Sequence, residues 1–144
     1  MSQESRAADP GELTRRLYEM ADRGDFDAMM RLFRPDAVWN LSEAGIGTFE
    51  GATAIRRFVE DWQGSYDDYK VDVEEIVDLG KGVTLAVSVQ TGRPTGSSGE
   101  VQIRFASIQV CEDGLIVWMK NYNEIDETRA AAERVAEERA EADV

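Results

Sequence analysis

From Tyr69 onward the apolar residues of this sequence recur at every second position, and the pattern survives through four long segments broken only by glycine-bearing turns. Period two is the signature of strands whose side chains alternate between faces. Tyr69 to Leu79, Val83 to Thr91, Glu100 to Cys111 and Leu115 to Ile125 are the expected strands, joined by GKG, GRPTGSSG and EDG. Short turns of this kind connect antiparallel neighbours, so the second half of the chain reads as a meander. Leu85, Val87 and Val89 share one face, with Ala86 and Ser88 opposite. In the third strand the apolar phase moves from Val101, Ile103 and Phe105 to Ala106, Ile108 and Val110, as a bulge or strong bend near Phe105 would cause. Apolar residues on both faces leave an outer surface that calls for cover, and a homodimer through the sheet is the expected cover.

The first half has helical spacing instead. Leu13, Leu17, Met20 and Ala21 form a stripe that Gly24 ends. Asp25 is placed to cap a second helix carrying Phe26, Met29, Met30 and Phe33, which must stop before Pro35. Ala37 to Leu41 reads as a short strand, Ser42 to Glu50 as a loop, and residues 52 to 66 as a third helix with Ile55, Phe58, Val59, Trp62 and Tyr66 on one face. Helices segregated to one side of an antiparallel sheet make an α+β domain. A length of 144 residues suits one such domain. The expected divisions are a flexible N-terminus over 1–12, the folded domain over 13–127, and a charged helical or disordered tail over 128–144. Val135 is the one large apolar residue of that tail before Val144, so it reads as a solvated segment, with a docking helix as the alternative.

The chain has no histidine and a single cysteine, Cys111. Ser-His-Asp and Cys-His nucleophiles, intrachain disulfides and thiolate zinc clusters are therefore excluded. Acid-base chemistry would fall to Asp, Glu, Lys, Tyr or water. A net charge of -13 opposes nucleic acid and anionic membranes as partners. The longest apolar runs fall short of the roughly 18 to 20 residues that span a bilayer, and the N-terminus MSQESRAADPGEL lacks an apolar signal segment, so a cytoplasmic location is expected. No metal or other cofactor is expected.

The segments ADRGDFDAMMRLF, DAVWNLSEAGIGTFEGATAIRRF and EDGLIVWMKNYNE resemble the SnoaL-like branch of the nuclear transport factor 2-like superfamily over roughly Leu13 to Glu127. The resemblance implies a cone of curved antiparallel sheet closed by three helices, commonly dimeric, in a group that includes ketosteroid isomerases, limonene epoxide hydrolases, polyketide cyclases and non-catalytic binding domains. Fold alone does not choose among these. The resemblance also turns Met119, Asn121 and Asn123 into the cone. It places Leu41, Leu17 and Ala106 where ketosteroid isomerases carry a base and two oxyanion donors. Asn121 stands where epoxide hydrolases carry a carboxylate, and Trp39-Asn40 where cyclases carry Trp-His. Whether Asn40 or Leu41 points inward stays open, as does whether Arg104 enters the cone or forms a rim salt bridge. Trp39, Trp62, Phe58 and Met119 are walls of a pocket or ordinary core. The expected site is therefore Trp39, Asn40, Leu41, Trp62, Arg104, Met119, Asn121 and Asn123, with no assigned catalytic residue. The expected ligand is a small, mostly apolar, oxygen-bearing molecule, bound by an isomerase, cyclase or hydratase of secondary metabolism or by a non-catalytic binding or dimerisation module.

Overall fold

The structure is a computed structural model and describes residues 9–142. Helix α1, Pro10–Arg23, begins where Asp9 accepts a hydrogen bond from the Glu12 amide (3.0 Å) and ends at Gly24, whose φ of 69° is the left-handed cap that glycine adopts readily. Helix α2, Phe26–Met30, is capped by Asp25 through the Ala28 amide at 3.1 Å. Strands β1 (Phe33–Leu41) and β2 (Gly47–Glu50) precede helix α3 (Ala52–Gly64). Strands β3 (Tyr66–Gly80), β4 (Val83–Pro94), β5 (Val101–Glu112) and β6 (Leu115–Asn121) follow, and helix α4 (Ile125–Ala142) closes the chain. One sheet holds all six strands in the order β2-β1-β6-β5-β4-β3. Every junction is antiparallel except β1 with β6, which run parallel with Trp39 beside Met119. Helices α1, α2 and α3 gather on the inner face, as the α+β reading requires, around Leu13, Leu17, Phe33, Ile55, Val59 and Met119.

Several local expectations change. Residues 10–12 are the first turn of α1, while residues 1–8 of the expected flexible N-terminus lie outside the described residues. Phe33 leaves the second helix and starts β1, because the residues before Pro35 favour extended backbone and Ile116 offers it a strand partner. Pro35 then lies in the register break of β1 with β6 between Phe33 and Val38, where its missing N–H costs no regular ladder bond. The Ser42 to Glu50 loop contains a 3₁₀ turn and β2, whose four residues carry too little apolar pattern to announce a strand.

No bulge occurs at Phe105: β4 and β5 pair without a break from Val83 opposite Val110 to Gly92 opposite Val101. The apolar phase changes because residues from Ala106 to Cys111 are covered on both faces. Helix α4 supplies the outer cover. It lies over β4 and β5, with Ala131 and Ala132 buried against a cluster that includes Val83, Leu85, Val87, Ala106, Ile108 and Val110. The segment read as a solvated tail is thus a docked helix over the described residues. The apolar outer face that prompted the expectation of a homodimer is met there by the chain's own helix.

Burial also sets a pH response. Desolvation raises the Cys111 thiol from its ordinary 9.0 to about 12, and raises the phenols of Tyr18 and Tyr69 above their ordinary 10.0. These groups ionise more easily in the unfolded chain. Their contribution to folding is whole below about pH 9 and is lost as pH climbs through 9 and 10 toward the folded values. Urea midpoints measured from pH 7 to 11 should hold level and then fall above about pH 9; a midpoint that rose across that window would contradict the burial of all three groups.

Candidate functional site

The inner face and the helices line a cavity of ≈ 80 Å³, several times what one water needs. Leu17, Tyr18 and Ala21 reach it from α1, Trp39 and Leu41 from β1, and Phe58, Val59, Trp62 and Gln63 from α3. The sheet adds Tyr69 and Val71 of β3, Ser88 and Gln90 of β4, Phe105 of β5, and Met119 and Asn121 of β6, while Met29 and Ile46 complete the wall. The strand period explains the set: Ser88 and Gln90 lie opposite Leu85 and Val87, which turn outward toward α4. None of the lining residues is Asp, Glu, Lys or Arg. Burial keeps the Tyr18 and Tyr69 phenols protonated, so the whole wall is uncharged near neutral pH.

Five of the eight expected residues, Trp39, Leu41, Trp62, Met119 and Asn121, border this cavity. Asn40 does not, and the choice between Asn40 and Leu41 falls to Leu41. The Asn40 amide oxygen accepts from the Ser42 amide (2.9 Å), the Ser42 hydroxyl (2.6 Å) and the Thr48 hydroxyl (3.3 Å), which makes it the clasp of the turn into β2. Arg104 is also elsewhere. Its fork closes on Glu74 with two bonds of 2.9 Å, and its side chain is 55% exposed, so the rim salt bridge is the alternative realised. Asn123 is exposed beyond the end of β6, where the chain bends toward α4 and strand alternation no longer applies.

The tryptophans orient the amides of the wall. Trp39 Nε1–H donates to Asn121 Oδ1 at 2.9 Å, and Trp62 Nε1–H donates to Gln90 Oε1 at 2.8 Å. An indole nitrogen only donates, so each amide must turn its oxygen to the ring and its NH₂ away. Gln63 is used the other way, donating Nε2–H to the Ala21 carbonyl at 3.0 Å.

A buried polar chain backs the cavity. Thr84 donates to Gln109 Oε1 (3.0 Å), and Gln109 Nε2 donates to Ser107 Oγ (2.6 Å). Thr84 has spent its one hydrogen, so Thr14, 2.8 Å away, donates to it. Ser107 and Tyr18 Oη stand 2.5 Å apart. Every hydroxyl hydrogen upstream is satisfied when Ser107 donates to Tyr18, which leaves the phenol hydrogen to the side of Ser88 and the cavity. Burial raises the Tyr18 pKa, and the hydrogen bonds of Ser107, Gln109 and Ser88 partly offset it. Tyr18, Ser88 and Gln90 lie outside the set of site residues expected from the sequence. Thr14 and Tyr18 did share one helical face at four-residue spacing, and Ser88 and Gln90 were polar residues alternating with valines.

A six-stranded sheet with helices closing an uncharged cavity defines an α+β cone of the nuclear transport factor 2-like kind. Residues 14–119 match the SnoaL-like domain, and the chain belongs to that family. No curated protein matches the sequence. Among solved structures, a Catenulispora acidiphila protein with a ketosteroid isomerase-like fold, in complex with trimethylamine, shares 15% identity at a TM-score of 0.69, covering 84% of this chain and 92% of that one. An M. tuberculosis LEH-like epoxide hydrolase shares 15% identity at a TM-score of 0.67, covering 88% of this chain and 90% of that one. TerC co-crystallised with polyporic acid shares 14% identity at 0.70, covering 88% and 99%. At these identities the likeness is one of fold.

Proposed function

We propose that this chain binds a small, uncharged, mostly apolar organic molecule bearing oxygen, held in the cone by Trp39, Leu41, Trp62, Met119 and Asn121. The observation that carries the reading is a wall of aromatic and aliphatic side chains with a few amides and hydroxyls and, among the described residues, no ionised group. Such a wall desolvates an apolar body and orients it through neutral hydrogen bonds. Proton abstraction from carbon needs a base, and among the described residues no carboxylate, amine or imidazole borders the cavity. An isomerase, cyclase or hydratase role would have to rely on donors such as Tyr18 and on a base brought by substrate or water, so binding is the better supported function. Two of the structural neighbours were crystallised with small organic molecules, which agrees with that use of the fold.

The test uses the two wall tryptophans as reporters. Small neutral aromatic and alicyclic compounds should change Trp39 and Trp62 fluorescence with saturable titration curves. Filling the cavity by Ser88→Met should weaken that binding at least tenfold while circular dichroism stays native. Undiminished affinity in the filled variant would move the ligand out of the cone and end the proposal.

A further inference from the structure

We infer that the cavity selects its ligand by acceptor oxygens of the carbonyl type and rejects ammonium groups, because Asn121 and Gln90 are locked as donors. The inference rests on the binding function proposed above and names the ligand class for the same cavity. Asn121 is 6% exposed, its oxygen is committed to Trp39, and its nitrogen has no protein acceptor among the described residues. Gln90 repeats the arrangement with Trp62. An ordinary amide can rotate to show either end to a ligand. These cannot, since rotation would set an NH₂ against an indole N–H and lose a bond on both sides.

The indoles are themselves held. Trp39 stands edge-on to Phe58 with ring centroids 5.5 Å apart, and Trp62 meets Phe58 at 6.0 Å and Phe105 at 6.4 Å. The donor polarity is thus built into the aromatic wall and does not adapt to the occupant. A ketone, quinone or lactone oxygen supplies the acceptor that each amide nitrogen lacks. An ammonium would place N–H against N–H in a wall with no carboxylate to compensate.

Calorimetric titration with three matched bicyclic probes, 1-tetralone, tetralin and 1-aminotetralin at pH 7, tests this on wild type, Asn121→Leu and Gln90→Leu. The quantity read is the ratio of ketone to hydrocarbon affinity, which cancels the shared apolar contribution. That ratio should fall roughly three- to tenfold in at least one Leu variant, the change one neutral hydrogen bond supplies. The amine should be the weakest of the three on wild type. Asn121→Asp should then invert the preference, since its carboxylate can accept from Trp39 with one oxygen and from an ammonium with the other. Equal ratios in wild type and both Leu variants, or tightest binding of the amine by wild type, would overturn the donor lock and leave the binding function standing. Failure of all three probes to bind wild type would overturn the binding function and the inference with it.

Discussion

A chain ended at Glu124 is expected to lose most of its stability and to self-associate. Removing α4 uncovers the outer face of β4 and β5, where Val83 and Ile108 are fully buried and Leu85, Val87 and Val110 nearly so. Exposing a buried Val, Leu or Ile side chain costs about 1.5 to 3 kcal/mol when complete, so partial exposure of several adds up to several kcal/mol. A domain of this size has about 5 to 15 kcal/mol in total. The cut also removes Thr128, whose hydroxyl accepts from the Tyr122 amide (3.3 Å) and donates to the Glu124 carbonyl (2.9 Å) at the turn into the helix. The ion pairs lost with it, Arg129 to Glu75 and Arg139 to Glu112, are solvent-exposed and contribute little beyond alignment. Thermal unfolding and light scattering of the two chains decide the matter. A truncated monomer melting within a few degrees of the full chain would show that α4 rests on the sheet without stabilising it.

That helix shows where the sequence was hard to read. Its fully buried contacts are made by Thr128, Ala131 and Ala132, small side chains with little hydrophobic signal, with Ile125 and Val135 packed at the margin, while the apolar partners are on the strands beneath. Helical docking by alanine is a property of the surface beneath it. The same blindness explains β5, where burial on both faces erased the alternation and imitated a bulge. By contrast Asp9, Gly24 and Asp25 act through their immediate neighbours, and the helix boundaries they set were legible. In the site, the resemblance put Met119, Asn121 and Asn123 on one inward face; Met119 and Asn121 border the cavity, whereas Asn123 lies two residues past the end of β6, where strand alternation no longer holds. Arg104 followed Glu74 across the sheet surface, a partner distant in sequence that one-dimensional spacing does not weigh, whereas Asn40 was claimed by Ser42 two residues on, a local turn contact that the spacing could have announced.

Gln109→Leu should cost about 2 to 4 kcal/mol although leucine fits a buried strand well. Gln109 has no exposed surface and joins Thr84 to Ser107. Leucine takes away the acceptor of the Thr84 hydroxyl and the donor to Ser107, and each buried group left unpaired costs about 1 to 3 kcal/mol. Donation back to Thr14 would in turn displace the Thr14 hydrogen from Thr84. The same reasoning predicts recovery. In Thr14→Val with Thr84→Val and Gln109→Leu, the upstream hydroxyls are gone, and Ser107 keeps its bond to Tyr18. An apolar replacement of a whole network is nearly neutral where a partial one is not, so the triple variant should return to within about 1 kcal/mol of wild type. Urea unfolding of the single, double and triple variants measures this non-additivity. Costs that merely accumulate from one substitution to the next would mean the four side chains are packed as separate residues, and the polar chain behind Tyr18 would have no claim to act as a unit on the cavity.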